Sequence, residues 1–305
     1  MKIAVIFSGQ GAQKPGMGKS FYDENSTARA VLDSVPADLL DKCFNGTAEE
    51  LARTEITQPA VYSINCAGAA ALNAALAQKG LEVSMVAGFS LGEYSALEFA
   101  GVFDFAAGLS IVQNRGRWMA EAAGDNSSSM VAVMGDLALI TEAVNSASAY
   151  GMILPVNYNC PGQTVVAGDN AALAAFGPIA TELGLKVIPL KVSGAFHSPK
   201  MAGVYSKLKE LLSGMSLHSP RIPVYSNVTG KPIDANNLPE CISQQVQSPV
   251  RWEDTIRNMM ADGADIFIEV GVGSTLAKFM RRIDRSVKAV AVEDVNGLTA
   301  LINEL

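Results

Sequence analysis

The decapeptide Val86–Ser95, VAGFSLGEYS, constrains this chain more than any other stretch. An apolar run climbs to Ser90, which stands between Gly88 and Gly92, and helix-forming residues follow. A strand that turns sharply into a helix pushes its turn residue into the open, and flanking glycines let neighbouring backbone pass without a Cβ in the way. A helix opening at the serine also leaves unpaired N–H groups and the positive end of its macrodipole beside the hydroxyl. In this reading Ser90 is a nucleophile on an elbow. Small residues also gather in ordinary βα turns, so the rest of the chain has to separate the two readings.

Strand and helix signals alternate along the chain. Ile3–Phe7 and Val83–Gly88 read as strands, with helix signals over Ser26–Lys42 and a long Ala-rich helix after Pro59 between them. Such alternation predicts a parallel sheet covered by helices. Asp104 is placed as the N-cap of a helix to Ala122, and Gly124–Ser129, GDNSSS, is the most linker-like stretch. The next segment reads as strand Met130–Met134, helix Leu137–Ala149, strands Ile153–Asn157 and Thr164–Gly168, helix Ala171–Leu183 and strand Lys186–Leu190. That βαββαβ order is the order of a ferredoxin-like unit. The expected fold is therefore α/β. A large α/β-hydrolase-like domain with a parallel sheet, residues 1–125 and 191–305, carries an inserted ferredoxin-like subdomain, residues 126–190. Beyond the insertion come a helix opened by Pro199, strands near Ile222–Ser226 and Ile266–Val270 with a helix from Trp252 between them, a helix from Ser274 to about Arg285, and a strand Val287–Val292.

Composition narrows the function classes. With 49% hydrophobic and 17% charged residues, the chain can fill a sizeable core. A net charge of -7 argues against nucleic acid as a partner, because phosphates need a basic surface. Cys43, Cys66, Cys160 and Cys241 lie far apart with no C-x-x-C pair, a pattern of free thiols in a reducing cytosol. With no clustered histidines, no Walker loop and no G-x-G-x-x-G pattern, neither a metal nor an organic cofactor is expected. The opening run Ile3–Phe7 is too short for a signal segment, and the apolar region Val61–Ala77 is broken by Asn65, Gly68 and Asn73. It is expected as a buried helix, not a membrane span, in a cytoplasmic protein.

A serine hydroxyl is a poor nucleophile until a base takes its proton, and histidine is the usual base near neutral pH. The chain has two histidines, each followed by Ser-Pro. His197 stands between a strand-and-turn stretch, Val192–Phe196, and a helix, at the return from the insertion, where catalytic groups are commonly presented. His218 lies in a Pro-interrupted run that reads as a surface connection, so His197 is the candidate base. No aspartate stands at a strand end between Ser90 and His197: Asp104 and Asp136 read as helix caps, and Asp169 falls inside the insertion. A carbonyl could orient the imidazole instead, which favours a Ser–His dyad over an esterase triad.

Several stretches resemble one family in its own order. FSGQGAQKPGMG (Phe7–Gly18), GFSLGEYSAL (Gly88–Leu97), QNRGRWM (Gln113–Met119), VNYNCPGQTVVAG (Val156–Gly168), GAFHSPKM (Gly194–Met201), QSPVRW (Gln247–Trp252) and EVGVGSTLAKF (Glu269–Phe279) resemble signatures of the malonyl-CoA:acyl carrier protein transacylases and the related acyltransferase domains of fatty acid and polyketide synthases. The resemblance implies transfer of a malonyl group from malonyl-CoA to the phosphopantetheine thiol of acyl carrier protein, through an ester on Ser90 with His197 as base. It implies backbone N–H groups of Gln10 and Leu91 as the oxyanion hole, Arg115 as partner of the substrate carboxylate, and the carbonyl of Gln245 as the group orienting His197. Arg117 is a rival to Arg115, and Gln244 and Gln247 are neighbours in an uncertain register around Gln245. Phe196, directly before the histidine, is a candidate for acyl selectivity, or else an ordinary core residue. The chain departs from the pattern at Phe89, where most relatives carry His, so that acyl-chain selectivity is in question, and at Ser8 and Val272, where Pro is common. Lys278, Arg281, Arg282 and Arg285 fall at i, i+3, i+4 and i+7, a basic stripe that is either a docking site for the carrier protein or a solvated face. A stand-alone acyltransferase of a polyketide pathway, a serine thioesterase or esterase, and a silent carrier-binding module remain as alternatives.

Overall fold

The computed structural model describes residues 1–124, 126–192 and 194–305. Its first strand, β1 (Ile3–Phe7), is buried at every position, as expected of a strand covered on both faces of a parallel sheet. β2 (Val83–Gly88) pairs with it, and further along the chain come β3 (Ser128–Met134), β4 (Ile153–Cys160), β5 (Gln163–Asp169), β6 (Lys186–Pro189), β7 (Val224–Tyr225), β8 (Ile266–Val270) and β9 (Lys288–Val292). Among the described residues these form two sheets: a parallel one in the order β7-β2-β1-β8-β9, and an antiparallel one in the order β4-β5-β3-β6. Phe7 is in register with both Gly88 and Val270, so the carboxyl ends of β2, β1 and β8 lie level. The crevice beyond the carboxyl ends of a parallel sheet is where ligands of open α/β folds bind.

The helix Thr54–Gln78 runs through the main core, with Val61, Ile64, Ala67 and Leu72 inaccessible. It is long and apolar enough to cross a membrane, but 72% of its apolar window is buried by the surrounding elements, so it is a core helix. It begins five residues before Pro59, whereas the sequence places it after that proline. Pro59, six residues into the helix, offers no N–H to the carbonyl of Glu55 in its first turn, and Thr57 Oγ1 donates to Arg53 O at 3.0 Å in the same turn. The helical stretch expected over Ser26–Lys42 is divided at Pro36 into Ser26–Leu32 and Ala37–Asn45. The strand expected over Ile222–Ser226 is only Val224–Tyr225, because Pro223 precedes it and the pairing to β2 is two residues long.

One further boundary differs. Ser128 and Ser129 belong to β3, so the linker-like GDNSSS stretch is shorter than read, and Asp125 within it lies outside the described residues. Ser193, in the middle of Val192–Phe196, also lies outside them.

The two sheets are tied together. β4 exchanges bonds with Val250: Val250 N donates to Val156 O at 2.8 Å, and Tyr158 N donates to Val250 O at 2.9 Å. Lys200 pairs with Asp169 at 2.6 Å across the same junction.

Candidate active site

Ser90 is the first non-glycine residue beyond β2 with a positive φ, 52°, a left-handed conformation that costs a residue with a Cβ about 1–2 kcal/mol. The glycines of the elbow are required by contact. A Cβ on Gly88 would lie 1.9 Å from the carbonyl carbon of Gly92, and one on Gly92 would lie 2.2 Å from Phe7 O. Gly9 is equally close to the elbow, its ideal Cβ falling 2.3 Å from Phe89 O. The turn after β1, which carries Gln10, is thereby laid against the serine. Among the described residues, the backbone N–H groups of Gln10 and Leu91 find no acceptor, while the Gln10 side chain donates to Thr54 Oγ1 at 3.1 Å.

His197 meets Ser90 across this turn, with Nε2 2.7 Å from Ser90 Oγ. Its Nδ1–H donates to two backbone carbonyls, Gln245 O at 3.0 Å and Ser248 O at 3.2 Å, which fixes the tautomer and leaves Nε2 as acceptor. The ring is 3% exposed. Burial, reinforced by the charge of Arg115, pushes its pKa down to about 4, against the opposing effect of the two carbonyls. The imidazole is therefore neutral at pH 7, the state a general base requires.

Arg115 enters from the helix Phe105–Ala122 and is 1% exposed. Its Nη1 donates to Gln58 Oε1 at 2.7 Å; its Nη2 donates to Gln245 Oε1 at 3.0 Å and to Ser90 Oγ at 3.3 Å. The guanidinium lies over the Tyr94 ring at 5.2 Å. None of these contacts is a carboxylate, although the buried Glu93 carboxyl acts on the guanidinium through its charge, so a buried cation stands beside Ser90 with neutral hydrogen-bond partners. Arg117, two residues on, is exposed and pairs with Asn114 and Glu121.

These groups open onto a cleft of about 250 Å³ that is also lined by Gln10, Phe89, Phe196 and residues of the antiparallel sheet such as Met130 and Val165. Phe89 stacks edge-on to Trp252 at 5.5 Å and lies 6.4 Å from Phe279. The Leu91 side chain is fully buried. Gln245 is fully buried, and beyond its carbonyl it places Nε2 on Ser90 O at 2.7 Å. His218 is exposed in the connection after the helix Ala202–Ser213 and does not line this cleft.

The basic stripe is corrected at one end. The helix runs Thr275–Ile283, so Lys278, Arg281 and Arg282 lie on it and Arg285 does not: Asp284 turns to extended backbone and ends the helix. Leu276, Met280 and Ile283 form its buried side, Phe279 faces the cleft, and Glu269 on β8 caps its start by accepting from Leu276 and Ala277 N–H. Sequence reasoning missed Asn227, Glu93, Gln58 and Tyr94, all fully buried around the elbow. The only signals were polar residues inside apolar surroundings, which are ambiguous in a single chain.

Comparison with known proteins agrees with this geometry. Residues 5–300 match the acyl transferase domain family. The chain is 35% identical over 312 residues to the malonyl CoA-acyl carrier protein transacylase of Bacillus subtilis (strain 168), covering 100% of this chain and 97% of that one. The crystal structure of the malonyl CoA-acyl carrier protein transacylase from Clostridium perfringens ATCC 13124 superposes with a TM-score of 0.93 at 34% identity, covering 100% of this chain and 97% of that one. A malonyl-transacylase in complex with its holo type II polyketide synthase acyl-carrier protein gives 0.92 at 32%, with both chains fully covered. The chain belongs to the acyl transferase domain family, among the malonyl CoA-acyl carrier protein transacylases.

Proposed function

We propose that this chain transfers a malonyl group from malonyl-CoA to the phosphopantetheine thiol of acyl carrier protein, through a malonyl ester on Ser90, supplying fatty acid synthesis. One observation carries the reading: Ser90 Oγ lies 2.7 Å from a neutral imidazole nitrogen and 3.3 Å from a buried guanidinium that has no carboxylate partner. Ser90 Oγ attacks the thioester carbonyl while its proton passes to His197 Nε2. The developing oxyanion is met by the N–H groups of Gln10 and Leu91; losing one such donor costs about 3–4 kcal/mol of transition-state stabilisation. The C–S bond breaks, and the CoA thiolate takes the proton from Nε2. The carrier thiol then gives its proton to Nε2, attacks the ester, and Ser90 leaves with that proton.

Arg115 supplies the selectivity for a malonyl group. One N–H of Nη1 is held by Gln58, and Nη2 gives one N–H to Gln245 and the other to Ser90 Oγ at 3.3 Å; a carboxylate would take the free N–H of Nη1 and replace Ser90 Oγ on Nη2. Phe196 and Phe89 narrow the acyl end of the cleft, a preference worth about 10–200-fold against one added methylene. Every proton and charge in these steps is handled by a side chain or backbone N–H, so the reading needs no metal or organic cofactor.

We also read residues 1–125 and 191–305 as an α/β-hydrolase-like domain and 126–190 as a ferredoxin-like subdomain. The strand order β4-β5-β3-β6 with its antiparallel pairings supports the second assignment, and the level strand ends around Ser90 support the first. Lys278, Arg281 and Arg282, with Arg285 just beyond the helix end, are the proposed carrier-docking stripe. The free thiols of Cys43, Cys66, Cys160 and Cys241 support a cytoplasmic site of action.

Intact-protein mass spectrometry after brief mixing with malonyl-CoA tests the reading. The expected result is a single malonyl-sized gain on wild type that is absent in Ser90→Ala and discharged by holo acyl carrier protein. Release of free malonate with no carrier-dependent discharge would instead make the chain a thioesterase.

A further inference from the structure

Ser90 holds a left-handed backbone although it carries a Cβ, and the restraint comes from outside the elbow. Asn227 lies two residues beyond β7, whose ladder to β2 consists of Val86↔Val224 and Ala87↔Tyr225. Where that ladder stops, the Asn227 carboxamide continues it: Oδ1 accepts from Ser90 N–H at 2.6 Å and Nδ2 donates to Gly88 O at 2.6 Å. One side chain thus grips the backbone on both sides of Phe89. Asn227 is itself fixed, because its backbone N–H donates at 2.7 Å to Oε2 of Glu93, in the first turn of the helix leaving the elbow. Both residues are fully buried, and Glu93 Oε1 has no partner among the described residues. A buried carboxyl with an orphan oxygen is costly, and the Asn227 N–H is the foremost group that offsets its burial, followed by the Gln245 side chain and the charge of Arg115.

We infer that Asn227, held by Glu93, is a positioning residue that clasps the nucleophile elbow in its left-handed form. The clasp occupies the Ser90 N–H, leaves the next one, Leu91 N–H, for the oxyanion, and aims Oγ at His197 Nε2. It rests on the acyl transfer proposed above, and it assigns nothing to substrate binding, which belongs to Arg115.

Rapid-quench mass spectrometry of Ser90 malonylation, alongside labelling by a fluorophosphonate, tests it in the full chain. In Asn227→Ala the malonylation rate is expected to fall about 100-fold, as for a reacting group misplaced by an ångström, with labelling falling in parallel. The KM for malonyl-CoA should stay within about threefold, since carboxylate binding is untouched. Glu93→Ala should lose rate similarly, and Glu93→Gln, which keeps an acceptor oxygen, should recover at least about tenfold of it. A malonylation rate within about threefold of wild type in Asn227→Ala, or equal losses in the two Glu93 variants, overturns the clasp. If Asn227→Ala does not fold, Asn227→Asp keeps the acceptor and lacks the donor to Gly88; an undiminished rate there also overturns it. Wild type that labels with fluorophosphonate but takes no malonyl group would refute the proposed function alone, and the labelling rates would still decide the clasp.

Discussion

His197 is oriented by two neutral carbonyls and sits beside a cation, the reverse of a triad in which a carboxylate raises the imidazole. Its folded pKa of about 4 is below the ordinary 6.5, so the neutral form is favoured by folding. Between pH 6.5 and 4 the unfolded chain takes up a proton that the folded chain refuses; the stability this group contributes is present above 6.5 and is lost as pH falls toward 4. The same sign governs rate. Ser90 malonylation should be level from about pH 8 down to about 5 and then fall tenfold per unit below the pKa. A midpoint near 6.5 in that profile would show that the buried environment does not act as described. At Arg115, alanine should lower kcat/KM for malonyl-CoA by about 100-fold or more, the loss of a buried charge-assisted pair, and should leave acetyl-CoA within about tenfold. Equal losses on both substrates would mean that the arginine supports the fold and not the carboxylate. Ser90, His197 and Arg115 were legible because each stands in a distinctive frame or belongs to a scarce type. Asn227 and Glu93 were not, since their roles depend on a two-residue ladder between segments more than a hundred residues apart.

At the level of elements, the elbow works because three backbones converge on positions without a Cβ. Gly92→Ala puts a methyl 2.2 Å from Phe7 O, and the obstacle is backbone at the end of β1, which cannot swing aside as a side chain could. The helix Gly92–Phe99 must then lift from β1, carrying the Leu91 N–H with it. A folded Gly92→Ala protein should lose about 100-fold or more in malonylation and also melt lower than wild type, by calorimetry on the same sample. Near-normal activity would show that the close approach can relax. This motif could be read from the chain because its glycines answer a local steric need. Element ends were less legible. Pro59 lies in the second turn of a helix that starts five residues before it, and the helix Thr275–Ile283 stops before Arg285 because Asp284 leaves helical backbone. Neither boundary has a periodic signature.

On the scale of the whole molecule, the cleft exists because the antiparallel sheet is fastened beside the carboxyl ends of the parallel one. Val250 bonds to β4, and Arg282 Nη2 donates to Pro161 O at 2.9 Å. A parallel sheet and an inserted run of βαββαβ elements could be read from the alternation of strand and helix signals; the strand order within each sheet and the fastening could not, because they rest on pairings between distant segments. The helix Thr275–Ile283 borders the cleft through Phe279 and presents Lys278 and Arg281 to solvent on its outer side. Arg282 is partly committed to the junction. A carrier protein delivering a thiol to Ser90 has to approach such a rim, and on a chain of net charge -7 a local basic stripe is the feature that would attract an acidic partner. Lys278→Glu combined with Arg281→Glu should therefore raise the KM for acyl carrier protein about tenfold at low salt and leave Ser90 malonylation by malonyl-CoA within about threefold. The difference from wild type should shrink in 1 M salt, where the screening length is about 3 Å. If the two half-reactions respond equally, or neither responds, the stripe is a solvated face, and the carrier must be recognised by the apolar rim around Phe279 instead.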